Sequence, residues 1–478
     1  MIATGKMLTI WLLLGVAAAE LSCKDHTGQS VDWWTGYKMP DSVSHLNNSG
    51  YALAYWNSAD PDSWYWETID SDYDEVGTTA IYHSTIQLPY MNGSTTSGYL
   101  VYNDQWCACP EGEYCFVAQM WYDRSFCPQA YNETDPKTGR TETKCSCNYQ
   151  PFAPGHEGSY EDADRDPTGK KFGHAKGFLI FDGEAGIWMQ HSVPGFPISA
   201  DVYKYYGWGW YKLENGQHLH CMTLSPEAVE AVAKMLTYSY VLPQRQSYGI
   251  PDALRARYPT VASIVDGMAA NGSYPTSHGA ASVAIETRGG VPLVAFGKEG
   301  DDGDRWDGNA TSPPFEIALW EDHVAPTLET SLFVESWCVC NFDRDIDDRR
   351  AFCANETASE YLCGPEGCIC DAHQPDNDDA YCCEKSACDA EHRVQQIERL
   401  DWHGRVVANR TVNSILTHAK WGISKDAAKP WVCFGDINRQ YSQRKRGGGA
   451  ACMRSPEAWR LLTDLHLDAP AAQIDSCD

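Results

Sequence analysis

The sequence predicts an α/β (α+β) fold made of a pseudo-twofold pair of sheet-and-helix units, each carrying a disulfide-rich loop insertion. The first observation behind this prediction is an internal duplication, because His174-Ala-Lys176 returns as His418-Ala-Lys420. The second is that each triplet is followed by an apolar run, a turn and another apolar run, which is the pattern of a β-hairpin. The third is a cysteine-rich stretch ahead of each triplet. A repeat of roughly 200 residues has the size of a domain.

The duplication extends well beyond the two triplets. An aspartate stands six residues after each lysine, and the second apolar run ends each time in a short polar cluster. A Cys-Met dipeptide and a Ser-Pro-Glu-Ala helix start follow in both copies, and Cys-x-Cys pairs precede both. The aligned pairs are Asp182 with Asp426, His191-Ser192 with Gly435-Asp436, Cys221 with Cys452, Ser225 with Ser455, Trp106 with Trp337, and Cys145 with Cys368.

Taken in order, the chain divides into three parts. Residues 1–19 read as a signal peptide, because an apolar run at 7–18 follows Lys6 and ends in small residues suited to cleavage. Residues 20–244 form the first unit, with its insertion at about 106–170, and residues 245–478 form the second, with its insertion at about 338–390. No other apolar run approaches the ~20 residues of a membrane span, so none is expected.

Strands are expected at 31–40 and 50–56, then a hairpin at 174–181 and 187–191. A helix is expected at 226–238, with Ser225 as N-cap and Pro226 in the first turn. The second unit should have strands at 283–286 and 292–296 and a hairpin at 415–424 and 431–436. In an extended strand His174 and Lys176 would leave the same face of the sheet.

Cysteine usage and sequons indicate the secretory pathway. The 20 cysteines occur as Cys-x-Cys, Cys-x4-Cys and Cys-Cys pairs rather than as repeated zinc knuckles, which favours disulfides. Seven Asn-x-Ser/Thr sequons predict glycosylation of surface loops. They begin at Asn47, Asn92, Asn132, Asn271, Asn309, Asn355 and Asn409.

The formal net charge of −28 argues against nucleic-acid binding at neutral pH. In an acidic compartment the argument weakens, because protonation of all 15 histidines alone would reduce the charge to −13. A protein that meets a polyanion near pH 5 has this composition, and so does an ordinary acidic secreted protein. The four basic residues Arg439, Arg444, Lys445 and Arg446 form the one concentrated basic patch, close to the second triplet, which indicates phosphate contact.

The sequence predicts no metal and no cofactor. Asp162, Asp164 and Asp166 imitate the start of a calcium loop, but Pro167 and Gly173 occupy the positions that need glycine and glutamate. His218 and His220 could ligate a metal, yet no third ligand accompanies them, so a structural role is favoured.

The duplicated residues have the chemistry that metal-free phosphodiester cleavage needs. One histidine would attack phosphorus while the other protonates the departing oxygen, and Lys176 and Lys420 would hold the non-bridging oxygens. Asn438 is a neutral donor suited to the same oxygens, and Arg439 and Arg446 add charge. Ser192 is a further candidate for substrate contact, and the residues expected to support the site are His191, Asp182, Asp426 and Asp436. Ser192 and Asp436 could equally just end their strands.

The sequence resembles the deoxyribonuclease II family of the phospholipase D superfamily. The resemblance is carried by Val31-Asp-Trp-Trp, His174-Ala-Lys-Gly, His191-Ser-Val-Pro, Gly216-Gln-His-Leu-His-Cys, His418-Ala-Lys-Trp, Gly435-Asp-Ile-Asn-Arg and Arg446-Gly-Gly-Gly. It implies two phospholipase D-like units, hydrolysis of DNA to 3'-phosphate ends through a phosphohistidine, and, more weakly, His174 as the nucleophile. It also implies an acidic compartment such as the lysosome, or secretion.

Two alternatives remain open on the sequence alone. A phosphodiesterase of the same fold could act on phospholipid or RNA, because attack by histidine does not need a 2'-hydroxyl. A non-catalytic secreted binding protein could keep the disulfide scaffold, although neither copy has lost its His or Lys. The DNA-cleaving form is expected to be a monomer that is an internal pseudo-dimer, or a homodimer.

Overall fold

The computed structural model describes the parts of the chain that carry two large β-sheets and their helices. The described residues are 21–40, 52–68, 79–89, 95–104, 130–134, 141–145, 166, 170–194, 196–197, 215–300, 317–337, 362–364, 367–369, 390–397, 399–402, 411–413 and 416–467. The expected signal peptide, most of both cysteine-rich insertions, Trp106 and six of the seven sequons lie outside these ranges or outside the described side chains.

The first sheet has eight strands, all antiparallel. In chain order they are β1 (Trp33–Lys38), β2 (Ala52–Asn57), β3 (Asp60–Thr68), β4 (Gly98–Asn103), β5 (Lys176–Phe181), β6 (Gly186–His191), β7 (Gln217–Leu224) and β8 (Pro243–Gly249). Their spatial order is β8-β4-β5-β6-β7-β1-β2-β3. Strand β8 therefore belongs to the first sheet, although the sequence division falls inside it.

The second sheet has seven strands, antiparallel except for one edge pair. They are β9 (Ala280–Glu286), β10 (Pro292–Lys298), β11 (Leu332–Glu335), β12 (Val394–Gln396), β13 (Trp421–Ser424), β14 (Trp431–Gly435) and β15 (Gly448–Arg454). Their spatial order is β9-β10-β15-β14-β13-β11-β12, with β11 and β12 parallel. Four two-stranded ribbons accompany the sheets, at 23–31, 130–145, 362–369 and 399–413.

Five strands follow the same order in both sheets. Spatially, β4-β5-β6-β7-β1 corresponds to β11-β13-β14-β15-β10, and the order along the chain is also the same. A helix with a Ser-Pro start follows the last strand of each set. The hydroxyl of Ser225 accepts from the Ala228 N–H, and that of Ser455 accepts from the Ala458 N–H, both at 3.2 Å. The alignment of the two sequence copies is thus reflected in strand order and in helix capping.

The described helices are α1 (Ala80–Thr85), α2 (Pro226–Ser239), α3 (Asp252–Arg255), α4 (Pro259–Asn271), α5 (Ala325–Leu328) and α6 (Pro456–Leu467). A π-helical turn at Leu319–Val324 leads into α5, and a 3₁₀ turn spans Tyr441–Lys445. The expected helix at 226–238 is confirmed by α2, and its apolar face packs among buried residues of both sheets.

Both hairpins are shorter than the sequence suggests. Strand β5 begins at Lys176 and β13 at Trp421, so His174, His418 and Lys420 lie in the segments ahead of the strands. The expectation that the pleat of a strand places His174 and Lys176 on one face is therefore wrong. Their side chains nevertheless converge, for a reason given below.

The largest core cluster contains residues of both sheets together with α2, α4 and α6. Two smaller clusters lie on the outer faces, one beneath α1 and one beneath the π-helical turn. Disulfide Cys433–Cys452 joins the neighbouring strands β14 and β15, and disulfide Cys23–Cys221 joins the ribbon at 23–31 to β7. This agrees with the expectation of disulfides. Among the described residues no helix is long and apolar enough to cross a bilayer.

Candidate active site

The first His-Lys pair shares one carboxylate. Asp104 follows directly after β4 and accepts from the ring nitrogen Nδ1 of His174 and, at 2.5 Å, from the Lys176 ammonium group. Burial alone would raise the pKa of Asp104, but the histidine and the lysine together lower it well below its usual range. Asp104 is thus an ionised group that fixes both side chains, and it explains why they converge.

The second pair is built differently. Strand register puts Trp337 where Asp104 stands in the first half, because Glu335 pairs with Trp421 as Tyr102 pairs with Gly177. The sequence alignment of Trp337 with Trp106 is therefore wrong by two positions. The Trp337 ring lies edge-on to the His418 ring, with centroids 5.9 Å apart. An aromatic edge offers no charge to imidazole, so the two histidines stand in different electrostatic environments.

Lys420 is fixed by backbone contacts. Its ammonium group donates to the carbonyl of His418 at 2.8 Å, and its backbone N–H donates to Nδ1 of His218 at 3.0 Å. The latter bond defines the tautomer of His218, since an accepting Nδ1 requires the proton on Nε2. His218 therefore supports Lys420 across the two halves, which agrees with the structural role favoured from sequence.

Each catalytic candidate is bonded through its backbone to the opposite half. The N–H of His174 donates to the carbonyl of Gly447, and the N–H of His418 donates to the carbonyl of Gly216, both at 2.7 Å. Gly447 directly precedes β15 and Gly216 directly precedes β7, so the acceptors occupy the same place in the two sheets. A Cβ on Gly173 would lie 2.8 Å from the Gly447 oxygen, so glycine is needed for this approach.

The two pairs form one electrostatic cluster, here called the His-Lys cluster: His174, Lys176, His418, Lys420 and Asp436. The charge of Lys176 lowers the pKa of both His418 and Lys420, and it acts on Asp436 as well. The charge of Arg446 adds to the lowering of the pKa of His174 and of Lys420, so it acts on residues of both halves. The structure thus brings together the four residues of the duplicated triplets.

Both histidines are neutral in this cluster across most of the pH range. Burial lowers the pKa of His174 to about 3, with Asp104 opposing the change and Lys176 adding to it. Burial also lowers the pKa of His418 to about 3, and Lys420, Lys176 and Lys38 contribute in the same direction. An anion placed among the lysines would cancel their effect and raise both values.

Asp436 and Lys420 change charge together near neutrality. Burial raises the pKa of Asp436 to about 7, while its carboxylate accepts from the Gly449 N–H at 3.0 Å. Burial and the nearby Lys176 lower the pKa of Lys420 to about 7. As the pH rises through this range, Asp436 gains negative charge and Lys420 loses positive charge. The cluster is therefore more positive in acid than in alkali.

Three further predicted residues lie next to the cluster with mainly internal contacts. Asn438 accepts from the Trp337 backbone N–H at 3.3 Å. Ser192 donates to Gln217 at 2.5 Å and accepts from the N–H of His218 at 3.0 Å. His191 is buried and accepts from the Val193 N–H. Ser192 thus connects β6 to β7 rather than presenting its hydroxyl to a ligand.

Three predicted residues lie away from the cluster. Arg439 is 1% exposed and donates to Glu321 at 2.7 Å and to the Val394 carbonyl at 2.9 Å, so its expected phosphate contact is wrong. Asp182 and Asp426 accept from backbone N–H groups two residues ahead, in the hairpin turns at the far ends of β5 and β13. Their common spacing reflects a repeated turn.

Sequence reasoning missed Asp104 and the role of Trp337. Asp104 is 70 residues from His174 and belongs to no duplicated motif, because tryptophan replaces it in the second half. The only sequence signal for Asp104 is that an acidic residue follows directly after the strand-like segment Gly98–Asn103.

The described residues contain no group of three His, Cys, Asp or Glu side chains placed to hold a metal ion. His220, considered on sequence grounds together with His218 as a metal ligand, forms a hydrogen bond with Thr35 at 2.7 Å and stacks on Phe434.

The two large sheets bring histidines and lysines from both halves into one buried, basic cluster. This arrangement defines an α/β protein suited to binding a phosphate group. The family model described as Deoxyribonuclease II matches residues 22–350 and 377–470. The chain belongs to the deoxyribonuclease II family.

Curated relatives extend over nearly the whole chain. Deoxyribonuclease-2 of Caenorhabditis elegans is 27% identical over 95% of this chain and 95% of its own length. Deoxyribonuclease-2-alpha of Rattus norvegicus is 24% identical over 97% of this chain and 98% of its own. Plancitoxin-1 of Acanthaster planci is 23% identical over 96% of this chain and 94% of its own.

Proposed function

We propose that this protein is a metal-independent acid endodeoxyribonuclease that hydrolyses DNA to 3'-phosphate ends through a phosphohistidine. The observation that carries the proposal is the His-Lys cluster, which contains one histidine and one lysine from each half. The charge of Lys176 in the first half affects the pKa of both His418 and Lys420 in the second. The names of the relatives, which are deoxyribonucleases, support DNA as the substrate. We further propose that the protein works in an acidic compartment of the secretory pathway, such as the lysosome, or outside the cell.

The architecture we propose is a pair of phospholipase D-like units, 20–244 and 245–478, related by a pseudo-twofold axis. The shared five-strand order supports it. So do the reciprocal hydrogen bonds from the N–H of His174 to Gly447 and from the N–H of His418 to Gly216. A monomer with two such units already holds both histidines, so a second chain is not needed for the chemistry.

His174 is the nucleophile in this proposal. Asp104 accepts from Nδ1 of His174, which places the proton there and leaves the lone pair on Nε2. A neutral imidazole with an oriented lone pair is prepared for attack on phosphorus. His418 has Trp337 in the place of the carboxylate, so no carboxylate at the equivalent position selects its lone pair. His418 is therefore the proton donor.

In the first step Nε2 of His174 forms a bond to phosphorus and the bond from phosphorus to the 5'-oxygen breaks. The imidazolium of His418 gives its proton to that oxygen, which departs as a 5'-hydroxyl. In the second step water attacks phosphorus, His418 takes a proton from the water, and the phosphorus–nitrogen bond breaks. The products are a 3'-phosphate end and the two histidines in their original protonation states.

Lys176 and Lys420 offset the charge on the non-bridging oxygens in both steps. Arg446, which lies close enough to shift the pKa of His174 and Lys420, adds a contact to the same or the neighbouring phosphate. Asn438 orients Trp337 against His418 through the Trp337 backbone. No step assigns a role to Arg439, Asp182 or Asp426.

The decisive test is plasmid nicking by the secreted protein at about pH 5 in the presence of EDTA. Undiminished nicking, with 3'-phosphate ends on the products, is expected because lysines rather than a metal offset the developing charge. Nicking that returns only after addition of magnesium would contradict the mechanism. Parallel assays with RNA and phosphatidylcholine test the alternative phosphodiesterases, and preference for either over DNA would replace the proposed substrate.

Substrate binding should shift the pH dependence of catalysis. In the free enzyme burial lowers the pKa of His418 to about 3, and a bound phosphodiester anion raises it. The alkaline limb of kcat should therefore lie at least about one pH unit above that of kcat/KM, since the latter reports the free enzyme. Rates on a fluorescent oligonucleotide at constant ionic strength measure both limbs. Coincident limbs would show that His418 is not the group that gains the proton.

DNA affinity should fall as the pH rises through about 7, where Asp436 gains a negative charge and Lys420 loses a positive one. Backbone phosphates do not titrate in this range, so the change belongs to the protein. The inactive His174→Ala variant with a short labelled duplex, followed by fluorescence anisotropy, allows the measurement without cleavage. We expect at least about a tenfold weaker affinity at pH 8 than at pH 6. A flat profile would contradict the charge reversal.

A further inference from the structure

Two buried lysines outside the His-Lys cluster have no part in the steps above. Lys38 ends β1 and Lys298 ends β10, and both side chains are 0% exposed. Lys38 pairs with Gln217, the first residue of β7, and Lys298 pairs with Gly448, the first residue of β15. The two lysines therefore occupy the same place in the two sheets.

Their ammonium groups also have corresponding acceptors. Lys38 donates to the carbonyl of Asn215 at 2.6 Å. Lys298 donates to the carbonyl of Arg446 at 2.5 Å and to that of Arg444 at 2.8 Å. Asn215 and Arg446 each stand directly before the glycine that precedes β7 or β15. These hydrogen bonds are charge-assisted and therefore stronger than bonds between neutral groups. Each buried ammonium group thus fixes the position of the backbone carbonyls that accept from it.

Those two glycines form hydrogen bonds with the histidines of the opposite half. The Gly216 carbonyl accepts from the N–H of His418, and the Gly447 carbonyl accepts from the N–H of His174. Each lysine therefore holds the peptide adjacent to the one that holds a histidine. The path runs from Lys38 through Asn215 and Gly216 to His418, and from Lys298 through Arg446 and Gly447 to His174.

We propose that Lys38 and Lys298 are positioning residues, Lys38 for the proton donor His418 and Lys298 for the nucleophile His174. The assignment is crossed, because each lysine acts through its own sheet on the histidine that the other sheet contributes. It rests on the proposed function for the roles of the two histidines. Lys38 also acts on His418 directly, since its charge lowers the pKa of that ring.

Because each lysine positions a different histidine, loss of Lys38 and loss of Lys298 should impair different parts of the reaction. Loss of Lys298 would displace the group that attacks phosphorus, and every substrate needs that attack. Loss of Lys38 would displace the group that protonates the leaving oxygen, and a leaving group that departs as a stable anion does not need the proton. A purely structural role of Lys38 would affect both kinds of substrate equally. A purely structural role of Lys298 would instead reduce the fraction of folded protein, seen as a smaller amplitude of the first turnover, and would leave the rate constant of that turnover unchanged.

The experiment compares Lys38→Met and Lys298→Met with wild type on two substrates. One is plasmid DNA, whose leaving group is an alkoxide. The other is thymidine 3'-(4-nitrophenyl phosphate), whose leaving group is a phenolate, followed only through its first turnover. Lys429→Met is the matched control, because that lysine also donates to a backbone carbonyl, of Glu329 at 2.7 Å, but on the surface.

Lys38→Met should nick DNA about 10- to 100-fold more slowly while its first turnover on the nitrophenyl ester stays within about threefold of wild type. Lys298→Met should lose about 10- to 100-fold on both substrates. Lys429→Met should match wild type on both. Because each variant is compared with itself, the ratio between substrates does not depend on the fraction of protein that folds.

Equal losses on both substrates for Lys38→Met, or wild-type behaviour of both lysine variants, would overturn the proposal. If neither variant is recovered folded, Gly216→Ala and Gly447→Ala carry the same expectation. A Cβ there would meet Thr417 Oγ1 at 2.8 Å or the Ser239 carbonyl at 2.5 Å, and so would move the same peptides. A wild-type enzyme inactive on both substrates would instead refute the proposed function itself.

Discussion

Replacing His174 by alanine should lower plasmid nicking by at least about 10⁴-fold, the scale at which enzymes lose a nucleophile. The same variant should also fail on thymidine 3'-(4-nitrophenyl phosphate), because no other group in the His-Lys cluster has an imidazole lone pair fixed by a carboxylate. Nicking assays and the release of nitrophenolate measure the two losses. Thermal unfolding of the variant establishes that the protein is folded when the activity is lost.

His418→Ala is the informative comparison. It should lose DNA nicking to a similar extent, since an alkoxide does not depart without a proton. On the nitrophenyl ester it should instead release about one equivalent of nitrophenolate and stop, because His418 is also the base for the second step. Acid-labile phosphate on His174 should accumulate. A full burst from His174→Ala and none from His418→Ala would reverse the roles of the two histidines.

The sequence predicts those parts of the site that are repeated in it. The two His-x-Lys triplets, the Ser-Pro helix starts and the hairpins are visible because each copy confirms the other, and α2 lies where its cap and periodicity place it. The same logic misleads at Asp182 and Asp426. They are repeated because both hairpins need an aspartate that accepts backbone N–H bonds in the turn, which is a local structural demand.

What the sequence does not reveal is the asymmetry between the halves. Asp104 and Trp337 occupy equivalent places, whereas a search for duplicated residues pairs Trp337 with Trp106 and passes over Asp104. Charge patterning fails for a related reason. Arg439 belongs to a basic run along the chain, yet its side chain turns inward to Glu321, and only the fold shows that. Lys38 and Lys298 escape notice because single lysines in apolar strands carry no motif.

Asp104→Asn should reduce both DNA nicking and the first turnover on the nitrophenyl ester, by up to about 10⁴-fold. The carboxylate now accepts from Nδ1 of His174 and so keeps the lone pair on Nε2. An asparagine that accepts from the Lys176 ammonium through its oxygen must present its NH₂ group to Nδ1. Nδ1 then accepts, the proton moves to Nε2, and the nitrogen that should attack phosphorus has no lone pair.

Asp182→Asn is the matched control for this change. It also replaces a carboxylate by an amide directly after a strand. The side chain of Asp182, however, accepts only from the N–H groups of Glu184 and Ala185 in the turn. Its activity should stay within about threefold of wild type, since an asparagine oxygen can accept the same turn bonds.

The proton on His174 offers a readout that loss of stability alone would not move. In wild type, nitrogen-15 chemical shifts of the imidazole should show the proton on Nδ1, and in Asp104→Asn they should show it on Nε2. Asp104 is also the main group that opposes the fall in the pKa of His174, so its removal should keep the ring neutral to still lower pH. An inactive Asp104→Asn protein whose ring keeps the proton on Nδ1 would mean that Asp104 acts by placing Lys176. Lys176 rather than His174 would then be the residue that limits the first step.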